Sequence, residues 1–145
     1  KTMKKLVLVF LAVCMALLAA GCGGSGPMEV TVTGDQFAAA SNLAGSINLP
    51  VGETLVVKLD SNATTGYQWN EQAQMSDTTI MGQTAHRYVT PEQSGDEPVV
   101  GAGGHEEWTF DAKQKGETVV AFKYARPWET DAEPAWTYTL TVNVK

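Results

Sequence analysis

The chain has 145 residues, 10 basic against 16 acidic side chains, a formal charge of −6 and only two cysteines. That charge argues against nucleic acid as a partner, which requires a basic face. The cysteine count leaves no room for a disulfide framework or a cysteine metal site in the folded part, because Cys14 lies in the N-terminal leader and Cys22 directly follows it.

The leader is read first. Met3 is taken as the start, Lys4 and Lys5 form a short basic region, and Leu6 to Leu18 is an apolar run of 13 residues. A spanning helix needs ~20, so residues 1–21 predict a secretory signal peptide. Ala19-Ala20-Gly21 before Cys22 resembles a bacterial lipobox, which implies lipid attachment at Cys22 and a membrane anchor through that lipid. Residues 22–27 then form a flexible tether rich in glycine and serine. The expected location is the extracytoplasmic face of the cell envelope, at the outer membrane of a Gram-negative cell because Gly23 rather than Asp follows Cys22. Removing residues 1–21 takes away Lys1, Lys4 and Lys5 and moves the charge to −9 over 124 residues, a comfortable size for one domain, 28–145, with its own core.

Period-2 alternation dominates the mature chain, and no segment past the signal shows a helical stripe. Strands are predicted near 28–33, 54–60, 67–70, 83–89, 105–111, 117–124 and 135–144. Leu55, Val57 and Leu59 alternate with polar or outward residues, as do Trp108 and Phe110. The clearest case is the last strand, where Trp136, Tyr138, Leu140, Val142 and Val144 face inward between Thr137, Thr139, Thr141 and Asn143. The fold class is therefore all-β, an immunoglobulin-like antiparallel β-sandwich of about seven or eight strands. A monomer is expected.

Three turn-forming clusters stand between these strands: Asn62-Ala63-Thr64-Thr65-Gly66-Tyr67, Gly101-Ala102-Gly103-Gly104 and Arg126-Pro127-Trp128. Singly, each has a purely structural reading: a glycine with positive φ, a flexible crossing, a proline-fixed turn. If every strand spans the sandwich, however, the connections at 61–66, 90–104 and 125–134 are the second, fourth and sixth, and all fall at one end. Unusual residues gathered in loops point to binding rather than reaction.

Nothing in the sequence points to catalysis. His86 and His105 are the only histidines and lie in no metal-type spacing; His105 reads as an outward-facing rim residue. No G-x-S-x-G elbow is present. Glu129, Asp131 and Glu133 read as a solvated acidic loop beside Arg126, so neither a metal nor another cofactor is expected. Asn62-Ala63-Thr64 fits a glycosylation sequon, coincidentally in a chain with a bacterial lipid signal.

Together the clusters resemble the chagasin-like inhibitors of papain-type cysteine peptidases. That family carries N-P-T-T-G-[FY], G-x-G-G and R-P-W loops in this order on an immunoglobulin-like sandwich. The resemblance spans roughly Leu43 to Val144 and includes the acidic–aromatic strand Glu106 to Phe110. It implies no enzyme activity and a papain-family cysteine peptidase as partner, contacted by Asn62, Thr64, Thr65, Gly66, Tyr67, Gly101, Ala102, Gly103, Gly104, Arg126, Pro127 and Trp128. It also implies reversible occlusion, with Thr64-Thr65-Gly66 entering the active-site cleft and the other two loops flanking it. Ala63 stands where the family has proline, a loss of preorganisation of order 1 kcal/mol. The competing reading is an envelope-anchored adhesion or assembly module whose loops bind a non-enzymatic partner.

Overall fold

The computed structural model describes residues 26–91 and 103–145. The leader, Cys22 and most of the tether lie outside them, as do Gly101 and Ala102.

In chain order the elements are β1 (Met28–Val32), α1 (Gly34–Ala39), β2 (Asn42–Leu49), β3 (Thr54–Ser61), a 3-10 turn (Ala63–Thr65), β4 (Gln68–Trp69), β5 (Gln74–Met75), β6 (Met81–Val89), β7 (Gly104–Ala112), β8 (Gly116–Ala125) and β9 (Trp136–Val144). One sheet has the order β1-β3-β7-β6; the other runs β2-β9-β8-β4, with β5 also on β8. Their inner faces enclose the core. Leu55, Val57, Leu59, Trp108 and Phe110 come from one sheet, and Trp69, Val120, Phe122, Tyr138, Leu140 and Val142 from the other. Alternation along β3, β7, β8 and β9 puts these residues inside, and the expected all-β sandwich results. Buried indoles need partners, and both have them. Trp69 Nε1 donates to Asp60 O (3.0 Å) and Trp108 Nε1 to Glu71 O (3.0 Å).

Three elements depart from the alternation reading. The strand predicted at 67–70 is split: β4 covers two residues, and β5 continues the descent along β8 after a break. Strand β2 was not expected. Leu43, Ile47 and Leu49 do alternate, but Gly45 occupies an inward position, where a Cβ would stand 2.6 Å from the Tyr138 hydroxyl. Packing thus imposes glycine where a hydrophobic residue would have completed the pattern. Helix α1 is one and a half turns and buries only Phe37, too little for a helical stripe. It is held from outside: Gly34 N donates to Asp60 Oδ2 (2.6 Å), and Phe37 lies 5.2 Å from the Trp69 ring and 5.0 Å from the Trp136 ring. Strands β1 and β2 join β3 and β9 in parallel, while the remaining pairings are antiparallel.

The outer face of the β1-β3-β7-β6 sheet carries a charge cluster centred on Glu107, only 8% exposed despite facing outward. Arg87 Nε donates to its Oε2 (2.6 Å), His105 Nε2 lies 3.0 Å from its Oε1 and Lys58 Nζ 3.8 Å away. Burial alone would raise the carboxyl, but the hydrogen bonds from His105 and Arg87 and their charges outweigh it and hold the pKa below its ordinary 4.5. The ionised form is therefore favoured by folding. Its contribution is complete above the unfolded pKa and lost as pH falls through the lower folded value. The urea midpoint difference between the wild type and Glu107→Gln is expected to be largest near neutral pH and to shrink below about pH 4. A difference that does not vary with pH would show that these pairs contribute nothing to folding.

Candidate functional site

Strand directions decide which loops meet. Ser61 pairs with Gly104, Val89 with His105, Gln68 with Ala125 and Tyr124 with Trp136. The connections after β3, before β7 and after β8 therefore share one end. Strand β2 shifts every later connection by one place, so the three become the third, fifth and seventh and still share one end; α1, the first connection, joins it.

The first loop is fixed by its own polar groups. Asn62 Oδ1 accepts from Thr64 N (3.1 Å) and Thr64 Oγ1 (2.6 Å), and Asn62 O accepts from Thr65 N (3.1 Å) and Thr65 Oγ1 (2.7 Å). The asparagine caps the 3-10 turn, as short polar side chains do. Gly66 closes it at φ 77°, ψ −3°, with its N–H on Ala63 O (3.3 Å); that left-handed conformation suits glycine. Below, Asn62 N donates to the Tyr124 hydroxyl (2.9 Å), tying the loop to β8. Thr64 and Thr65 turn their hydroxyls inward yet remain exposed, so the loop presents methyls and backbone. Ala63 takes the first position of the turn, where proline fits a helix start.

The second and third loops close on the first. A Cβ on Gly103 would lie 3.2 Å from Ser61 O, and Gly104 N donates to the Tyr88 hydroxyl (3.1 Å). Arg126, Pro127 and Trp128 form a turn closed by Glu129 N on Arg126 O (3.1 Å). Trp128 is 66% exposed, yet a Cβ on Gly66 would stand 2.5 Å from its Cη2. The indole therefore lies flush against the one residue of the first loop that has no side chain.

Arg126 is folded back. Its guanidinium sits 4.5 Å over the Tyr67 ring and bonds Glu129 Oε1 (3.1 Å), which also accounts for one member of the acidic run. Beneath it the rings continue as a column: Tyr67 to Tyr124 at 5.5 Å, Tyr124 to Trp136 at 4.7 Å, Trp136 to Phe37 at 5.0 Å. Arg126 and Tyr67 thus brace the loops, while Trp128, Thr64 and Thr65 are left exposed at this end.

One contributor escaped the sequence reading. Glu106 is 4% exposed; its Oε1 accepts from Ser61 Oγ (2.8 Å) and Trp69 N (3.1 Å), and its Oε2 lies 2.8 Å from His86 Nε2. It anchors both ends of the first loop from beneath. The signal was present: Glu106 is in phase with Trp108 and Phe110, an acid at an inward position. His86 packs 5.0 Å from the Trp108 ring, and His105 faces outward onto Glu107. Among the described residues no group of three or more His, Cys, Asp or Glu side chains could hold a metal.

A family model described as chagasin family peptidase inhibitor I42 matches residues 48–142. The chain is 29% identical over 97 residues to chagasin of Trypanosoma cruzi, covering 66% of this chain and 84% of chagasin. Among solved structures it resembles the cysteine protease inhibitor EhICP2 of Entamoeba histolytica, with TM-score 0.63 and 22% identity, covering 84% of this chain and all of that one. It also resembles amebosin, with TM-score 0.56 and 29% identity, over 83% of this chain and all of that one.

Proposed function

Because the chain belongs to the chagasin family of peptidase inhibitors, we propose that it is a tripartite plug, reversibly occluding the cleft of papain-family cysteine peptidases with the loop end of its sandwich. It is an inhibitor of cysteine peptidases, not an enzyme. The single observation that carries the occlusion reading is Trp128, two-thirds exposed and seated on Gly66 at the tip of the first loop. A large exposed indole on a rigid frame is the kind of anchor that dominates interface energetics. Thr64, Thr65 and Gly66 form the wedge beside it, with Asn62 and Tyr67 fixing its shape. Gly103 and Gly104 flank the wedge on one side, and Trp128 with Arg126 and Pro127 flanks it on the other. A loop already held by its own hydrogen bonds loses little freedom on binding, which favours tight association.

The buried core of the described residues lies within residues 32–144, so residues 26–145 are the unit to assay. Titrated against papain, this unit is expected to inhibit stoichiometrically, and Trp128→Ala to weaken inhibition by about thirtyfold or more with an unchanged melting temperature. No inhibition at micromolar protein would sink the reading. Wild-type inhibition with an unaffected Trp128→Ala would relocate the interface.

The reading extends to location. The short apolar run and the lipobox-like Ala19-Ala20-Gly21-Cys22 support a lipid anchor at Cys22, holding the inhibitor outside the cytoplasm. Cys22→Ser is expected to move the protein out of the membrane fraction of expressing cells; unchanged fractionation would remove the anchor from the proposal.

A further inference from the structure

Beside the first loop a cleft of about 280 Å³ opens between Trp128 and β6. Its walls are aromatic: Trp69 at the back, Tyr67 and Trp128 on the loop side, Tyr88 on the strand side. Trp128 and Tyr88 are two of the few large hydrophobic side chains that the described residues leave exposed, and both face this cleft. Its polar lining is Ser61, Gln68, Glu71, His86 and Glu106; the Glu106 carboxylate at the floor already bonds Ser61, the Trp69 N–H and His86, which leaves exposed Glu71 at the rim as the acid open to a ligand, and no Lys or Arg side chain lines the cleft. Aromatic faces are negative above the ring plane, so aromatic walls with a carboxylate at the rim favour a cation.

The surroundings carry the same sign. The described connection from β8 to β9 holds Glu129, Asp131 and Glu133 against Arg126 alone, and that guanidinium is already taken by Tyr67 and Glu129. An end so charged attracts a basic surface and speeds its approach.

We propose that this cleft is a subsite for a Lys or Arg side chain presented by the target peptidase beside its active-site groove, so that the inhibitor selects peptidases with a basic rim. The proposal rests on the inhibitor reading above and adds a specificity determinant to it. The cationic head stacks between Trp128 and Tyr88 while Glu71 meets it at the mouth. Glu71 holds Trp108 through its main-chain carbonyl, so Glu71→Gln alters the charge of the cleft without touching that bond.

The test uses residues 26–145 and two probes, Nα-acetyl-arginine methylamide and its neutral analogue Nα-acetyl-citrulline methylamide, followed by the indole N–H resonances of Trp69 and Trp128. The arginine probe is expected to shift these signals saturably and the citrulline probe to leave them in place. Glu71→Gln is expected to weaken the arginine probe by about threefold, and Tyr88→Phe to leave it bound. No shift with arginine, or equal shifts with both probes, overturns the subsite. The papain titration runs in parallel and separates the two claims. Inhibition without arginine binding discards the subsite and keeps the inhibitor; arginine binding without inhibition of papain keeps the subsite and discards the peptidase reading.

Discussion

Gly66→Ala is expected to weaken inhibition of papain about a hundredfold while the sandwich stays folded. Two effects add at this position. The backbone at φ 77° lies in the left-handed region, which costs an ordinary L-residue roughly 1–2 kcal/mol. The new methyl would also stand 2.5 Å from Cη2 of Trp128, so the indole must leave its seat or the loop must open. Either way the wedge and its anchor no longer hold their relative positions, and a displaced anchor forfeits about 2 kcal/mol or more of binding. The strain falls on one exposed turn, so the melting temperature should drop by only a few degrees. A double-mutant cycle separates the effects: in a Trp128→Ala background the clash vanishes, and Gly66→Ala should cost markedly less than it does alone. Full additivity of the two substitutions would show that indole and glycine act independently and that the plug is not one unit.

Glu106→Ala is expected to be the most damaging single change to the fold, lowering stability by about 3–5 kcal/mol and the melting temperature by roughly 10–20 °C. The carboxylate is buried and receives Ser61 Oγ and the Trp69 N–H, with His86 at 2.8 Å. Truncation strands these groups away from water, and an unmade buried hydrogen bond costs more than a made one contributes. Glu106→Gln retains the shape and one acceptor oxygen, and its amide can donate to His86 if the ring presents a bare Nε2. It should recover most of the loss. Calorimetry on the two variants decides the matter: equal destabilisation would mean that the cavity, not the hydrogen-bond set, dominates. Because Ser61 and Trp69 bracket the first loop, Glu106→Ala should also loosen inhibition below its own melting point.

Much of this was legible because strand alternation is a local property. In β9, β8 and β3 the pattern of inward residues is the pattern observed, and glycine at 66 announced a turn with positive φ. What escaped was tertiary in origin. Gly45 interrupts β2 because the Tyr138 hydroxyl fills the space its side chain would need. Helix α1 has one buried residue, and no periodicity can be read from one. Glu106 sat in phase with Trp108 and Phe110, but an acid in a strand reads as outward until its partners are known. The contact of Trp128 with Gly66 joins residues 62 positions apart in two different loops, and no spacing along the chain encodes it. The order of the three motifs was visible; their support by an aromatic column from Arg126 to Phe37 was not.

The parallel pairing of β1 with β3 has a consequence for how the molecule is held. Met28 lies opposite Leu55 and Val32 opposite Leu59, so the chain enters the sandwich at the end remote from Trp128 and climbs toward it. An eight-residue strand is ~27 Å long, so Trp128 and the first loop stand about that far from Met28, at the opposite end of the sandwich, and nothing that binds near Met28 crowds them.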